Sequence, residues 1–98
     1  MELRGKDRRY LRGLGVSLKP AVLVGKASAT PGVLAQIQDA LEAHELVKIR
    51  LLESVEGNRK IVSAELAAAA EAELVQVLGR TALLYRPRAE KPVIELPQ

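Results

Sequence analysis

The stretch from Pro20 to Gly32 constrains the fold of this chain more than any other. Pro20 can open a strand but not sit inside one. Ala21 to Val24 is a continuous apolar run of strand length, as for a strand covered on both sides or central in a sheet. Gly25 interrupts it. Thr30-Pro31 then predicts an N-cap and first helical turn, because proline loses nothing where the amide would be unpaired anyway. Backbone N–H groups and a helix N-terminus therefore converge on a loop carrying one cation, Lys26. Such a loop can cradle a phosphate; the same residues also make an ordinary strand-to-helix connection.

The other segments read around that unit. Leu3 to Leu14 predicts a helix with Leu3, Tyr10, Leu11 and Leu14 on one apolar stripe. Arg4, Arg8 and Arg12 recur at i, i+4 and i+8 along a neighbouring edge. Like charges at that spacing weaken an isolated helix, and an external anion would relieve them. Gly13 and Gly15 are expected to end the helix. A second helix over Pro31–His44 buries Val33, Leu34, Ile37, Ala40, Leu41 and His44 by its period. Leu46 to Leu52 alternates as a strand, with Val47, Ile49 and Leu51 on one face and Lys48 and Arg50 on the other. If helices cover one face only, those two cations are exposed on the opposite one. A third helix is expected over Arg59–Ala72, with Ile61, Val62, Leu66 and Ala69 inward. Glu73–Leu78 and Thr81–Arg86 flank Gly79-Arg80, the pattern of a two-residue type II′ hairpin with Arg80 at its tip. Residues 88–98 form a basic, extended tail in which Val93–Leu96 could add an edge strand. The expected architecture is a single α+β domain over residues 1–98, ordered α-β-α-β-α-β-β, with helices packed on a small four-stranded mixed sheet.

Charge narrows the function. Residues 1–26 hold seven cations and two anions, net +5; residues 27–79 hold four cations and eight anions, net −4; residues 80–98 hold four cations and two anions, net +2. If the two ends meet, they form one positive surface suited to a polyanion; otherwise the first helix is simply solvated. Cysteine is absent, which excludes a thiol nucleophile and a thiolate metal site and suits a reducing cytoplasm. His44 is the sole histidine and has no ligand partner by spacing, so no metal, cofactor or catalytic role is expected. No apolar run is long enough to span a membrane. Nothing suggests a small-molecule substrate, and a chain with this aliphatic content can fold as a monomer.

Several short motifs, taken together, resemble the YhbY family, the stand-alone bacterial form of the CRM (chloroplast RNA splicing and ribosome maturation) domain. They are Tyr10-Leu11-Arg12-Gly13-Leu14, Leu18-Lys19-Pro20, Val24-Gly25-Lys26, His44-Glu45-Leu46-Val47-Lys48-Ile49, Val75-Gln76-Val77-Leu78-Gly79-Arg80 and Leu84-Tyr85-Arg86-Pro87. The resemblance implies a fold similar to the C-terminal domain of translation initiation factor three. It also implies RNA binding on large-subunit precursors, through ribosomal RNA. The family usually carries a GxxG loop, matched here by Gly25-Lys26-Ala27-Ser28, with Ser28 in place of the second glycine. Serine resists the positive φ that glycine permits, although its hydroxyl can donate to a phosphate.

Both aromatic residues, Tyr10 and Tyr85, fall on expected core stripes, so base stacking should not dominate and phosphate contacts should. The candidate RNA contacts are Arg4, Arg8, Arg12, Lys19, Gly25, Lys26, Ala27, Ser28, Lys48, Arg50 and Arg80. Arg86 is a weaker candidate that can pair with a carboxylate instead. The alternative is a module that binds a ribosomal protein or assembly factor through acidic second and third helices.

Overall fold

The alternation in Leu46–Leu51 sorts the molecule into two cores. In a computed structural model describing residues 2–98, the elements are α1 (Gly5–Gly15), β1 (Val22–Val24), α2 (Pro31–His44), β2 (Leu46–Leu51), α3 (Arg59–Ala69), β3 (Glu73–Leu78) and β4 (Thr81–Tyr85). They build one four-stranded mixed sheet of order β1-β2-β4-β3. β1 runs parallel to β2, with Val22 opposite Ile49 and Val24 opposite Leu51, and the other two pairings are antiparallel.

Val47, Ile49 and Leu51 face α2 and α3. They join Val22, Val24, Ile37, Leu41, Leu66, Ala67, Ala70, Ala82 and Leu84 in the larger core. Leu46 faces the other way. There it meets Leu3, Leu11, Val75, Leu83 and Tyr85, with Leu18, Ile94 and Leu96 at the margin. The second face is thus covered in part by α1 and the C-terminal segment; it is not wholly open. The two ends of the chain do meet: Arg4 Nη2 donates to the Pro97 carbonyl at 2.7 Å.

Local signals account for most of the boundaries. Thr30 Oγ1 accepts from the Val33 N–H at 3.1 Å and starts α2. Asn58 Oδ1 accepts from Lys60 and Ile61 N–H and starts α3. Gly79 takes φ +59 at the first position of the two-residue turn that pairs Leu78 with Thr81.

Several expectations are corrected. β1 is an edge strand and Leu23 is 56% exposed, because its apolar run reflects one buried face plus an open edge. On α1, Tyr10 and Leu14 are exposed; the buried line is Asp7, Leu11 and Gly15. As expected, α1 does end at these glycines: Gly15 is its last residue and the Val16 N–H returns to the Gly13 carbonyl at 3.4 Å. A Cβ on Gly15 would lie 2.6 Å from Leu83 Cδ2, so this glycine lets the helix close onto the sheet. In α3 the inward line is Ser63, Leu66, Ala67 and Ala70, with Ile61 and Ala69 exposed. An alanine-rich tract cannot mark its own buried side. His44 is exposed at the end of α2.

Residues 93–96 form no strand. They are held by Glu45, a fully buried residue at φ +64 that ends α2. Its Oε1 accepts from Val93 and Ile94 N–H, and its Oε2 from Arg88 N–H, each at 2.7 Å. Burial alone would push the Glu45 carboxyl up. The N–H groups of Arg88, Ile94 and Val93, together with the Arg88 charge, outweigh it and hold the carboxyl below its usual range.

Candidate RNA interface

The loop after β1 keeps the shape that its serine was expected to resist. The Ser28 N–H donates to the Gly25 carbonyl at 2.9 Å, closing a turn over residues 25–28, and Ser28 itself takes φ +46. The Thr30 N–H donates to the Ser28 carbonyl at 2.8 Å, which holds that strained residue between the turn and the α2 cap. A Cβ on Gly25 would meet nothing within 4 Å. Gly25 therefore leaves open space above the loop that the fold itself does not need. Lys26 and Ala27 are exposed and Ser28 is half-buried.

This loop shares one end of the sheet with three other segments. Val24 pairs with Leu51, and the Leu52 N–H returns to the Val24 carbonyl at 2.9 Å. The Leu51 N–H donates to the Arg80 carbonyl at 2.7 Å, so the hairpin tip lies beside the end of β2. The first turn of α3 is near as well: Arg59 and Lys60 line an open cavity of about 510 Å³ with Gly57 and Gly79. Lys26, Arg50 and Arg80 thus collect at the carboxyl ends of β1 and β2, and Arg59 and Lys60 lie beside β3 and the hairpin turn. Arg59 and Lys60 escaped the sequence reading, although an Asn58 N-cap followed by two cations was a visible signal.

The face toward α1 is laid out in rows by strand register. Leu46, Tyr85 and Glu73 form the first row, under α1 and the tail. Lys48, Leu83 and Gln76 form the second; Arg50, Thr81 and Leu78 form the third, with Leu23 beside Arg50 on β1. A bulge at Val75, between the Leu74 and Gln76 pairings, produces this order in β3. The extra residue brings Val75 into the α1-side core and Gln76 into the following row on the same face. Between the C-terminal turn of α1 and the last two rows lies a cavity of about 300 Å³. Its lining includes Arg12, Gly13, Lys48, Gln76, Thr81 and Leu83.

The expected cations divide accordingly. Arg12, Lys48, Arg50, Lys26 and Arg80 make no side-chain hydrogen bond or ion pair among the described residues. Arg4 instead grips Asp7 through Nε at 3.0 Å and Nη2 at 3.1 Å, besides Pro97. The Arg4 guanidinium, then its backbone N–H, hold the Asp7 carboxyl below its ordinary value against the effect of burial. Arg8 Nη1 donates to the Leu74 carbonyl at 2.7 Å, which ties α1 to β3. Lys19 is exposed in the connection before β1. Arg86 Nη1 donates to the Ala70 carbonyl at 2.7 Å, at the end of α3, where the sequence suggested a carboxylate. The acidic middle is dispersed. Glu45 is buried, Asp39 and Glu42 lie on α2, and α3 carries Glu65 behind the basic pair Arg59-Lys60. Among the described residues no cluster of His, Cys, Asp and Glu could hold a metal ion, and no helix is long and apolar enough to cross a membrane.

Comparison with known proteins gives one consistent answer. Residues 3–86 match the model of the CRS1/YhbY (CRM) domain. The chain is 38% identical over 95 residues to YqeI of Bacillus subtilis, named a probable RNA-binding protein, covering 97% of this chain and 99% of that one. It is 34% identical over 96 residues to a Haemophilus influenzae protein named an RNA-binding protein, covering 98% and 96% of the two chains. The solution structure of SAV1595 from Staphylococcus aureus, a hypothetical protein described as a candidate RNA binder, superposes with a TM-score of 0.83 at 38% identity, covering 98% and 100%. The chain belongs to the CRS1/YhbY (CRM) domain family.

Proposed function

We propose that this protein binds structured ribosomal RNA in precursors of the large ribosomal subunit, as a non-catalytic factor in the cytoplasm acting as a monomer. The observation that carries this reading is the cluster of cations without acidic partners: Lys26, Arg50 and Arg80 at one end of the sheet, with Arg12 and Lys48 on the adjoining face. Unpaired guanidinium and ammonium groups on a rigid scaffold attract phosphate and release its counterions. The Gly25–Ser28 turn adds a short stretch of backbone above which a sugar–phosphate chain can pass closely. The names of the relatives support RNA as the class of partner.

The test is binding to structured RNA hairpins across a salt series. If about five phosphates are neutralised, the log–log slope should be roughly −3.5 to −4.5. A slope near zero overturns the electrostatic reading. Replacing Arg12 and Lys48 together with Glu should weaken unrelated hairpins about equally, by tenfold or more at about 0.1 M salt. Association with large-subunit particles should be lost after ribonuclease treatment; survival would favour a protein partner.

A further inference from the structure

We propose that the cavity between the C-terminal turn of α1 and the sheet receives one unstacked nucleotide of the bound RNA. This rests on the RNA-binding reading above and deepens it, since phosphate contacts alone read no base.

The chemistry of the walls selects the occupant. Arg12 and Lys48 are half-buried cations without acidic partners, so the cavity favours an anion at its mouth. Leu83 provides an apolar floor and is itself 97% buried, being 3% exposed. Gln76 adds an amide that can both donate and accept, and Thr81 a hydroxyl. Thr81 Oγ1 donates its proton to the Leu78 carbonyl at 2.9 Å, so toward a ligand it is fixed as an acceptor. Lys48, Leu83 and Gln76 are neighbours across three strands. Strand spacing puts the first and last roughly 10 Å apart, wide enough for a planar heterocycle to lie on Leu83 between them. A volume of about 300 Å³ is small for a ligand site, fits a single nucleotide, and excludes a duplex. Aromatic platforms are absent here, but unstacked RNA bases also stack on guanidinium planes, and Arg12 supplies one. The bulge at Val75 brings Gln76 to this face, so a base-reading group is in place through an irregularity that costs a ladder hydrogen bond.

Two otherwise identical RNA hairpins test this with the full-length chain. One carries a single bulged nucleotide; the other has an abasic residue at the same bulge, which keeps the backbone and removes only the base. The base-bearing hairpin should bind at least about fivefold tighter. Gly13→Leu, which narrows the cavity, should bring the ratio of the two affinities close to one, whatever its effect on the abasic hairpin. Gly13 lines the cavity and a Cβ there meets nothing within 4 Å, so the first atom of the new side chain is accommodated. Thermal melts and helix content check that the variant folds. If it does not, Gln76→Ala decides, with an expected fall of at least about half in the base-dependent ratio. Equal affinity of the wild type for the two hairpins, or a difference that survives in the folded variant, overturns the cavity proposal alone. No measurable binding of either hairpin at low salt overturns the RNA-binding reading itself.

Discussion

The two faces of the sheet are built by different means. The face under α2 and α3 is closed mainly by aliphatic packing: Ile37, Leu41, Ile49, Leu51, Leu66 and Leu84 are all at most 1% exposed. The face under α1 is closed by fewer apolar residues and by polar ties. Arg8 bonds the Leu74 carbonyl, Arg4 bonds Asp7 and Pro97, and Glu45 gathers three N–H groups of the tail. Buried Asp7 and Glu45 sit near Tyr85, whose phenol is pushed up first by burial and then by those two carboxylates. The first face holds the larger buried apolar cluster. The second stays unfinished beyond Leu83, and its unpaired cations lie there.

The largest expected effect is on the first face. Leu41→Ala should cost about 3–5 kcal/mol, since its closed surroundings cannot collapse into the space. Leu46→Ala, beside an open cavity of about 370 Å³ lined by Leu14, Leu18 and Ile94, should cost nearer 2 kcal/mol. Equal losses in urea unfolding would break the comparison.

Glu45→Gln should come next, at about 1.5–3 kcal/mol, because the charged acceptor of three N–H groups is lost. Amide exchange at Val93 and Ile94 should rise well before exchange in β2. Simultaneous exchange would show that the tail is part of the main cooperative unit.

Acid sharpens the same point. The folded-state carboxyls of Asp7 and Glu45 are both lowered, so their contribution is fully present above the unfolded values near 4. It is lost as pH falls through the folded values. Below about pH 4 the tail amides should lose protection first; a stability that rises on acidification would contradict this sign.

The smallest effects come from two glycines on α1. Gly15→Ala should cost about 1–2 kcal/mol, since its Cβ meets buried Leu83. Gly13→Ala, in open space, should gain up to about 1 kcal/mol from helix propensity. Equal changes in Tm for the two would mean that α1 does not sit closely on Leu83.

Much of this was legible in the residues themselves. The Thr30-Pro31 cap, the Gly79-Arg80 hairpin, the alternation of β2 and the order of the elements all depend on neighbours a few positions apart. For the candidate site, the sequence named the cations without sorting them. Arg4, Arg8 and Arg12 have the same spacing and the same chemistry. Arg8 meets a carbonyl 66 positions away, Arg4 meets one 93 positions away, and Arg12 meets an open cavity.

The sequence alone determined where α2, α3 and the hairpin begin and how β2 alternates, because backbone capping and side-chain periodicity are short-range; the buried sides of α1 and α3 were not among them. Only the tertiary structure decided that β1 lies at the edge, that Ser28 takes a positive φ between two backbone hydrogen bonds, that Glu45 holds the tail, and that a bulge brings Gln76 into the row of Lys48 and Leu83. Each of these depends on groups far apart in the chain competing for the same space and the same hydrogen bonds, and that competition is settled only when the sheet has formed.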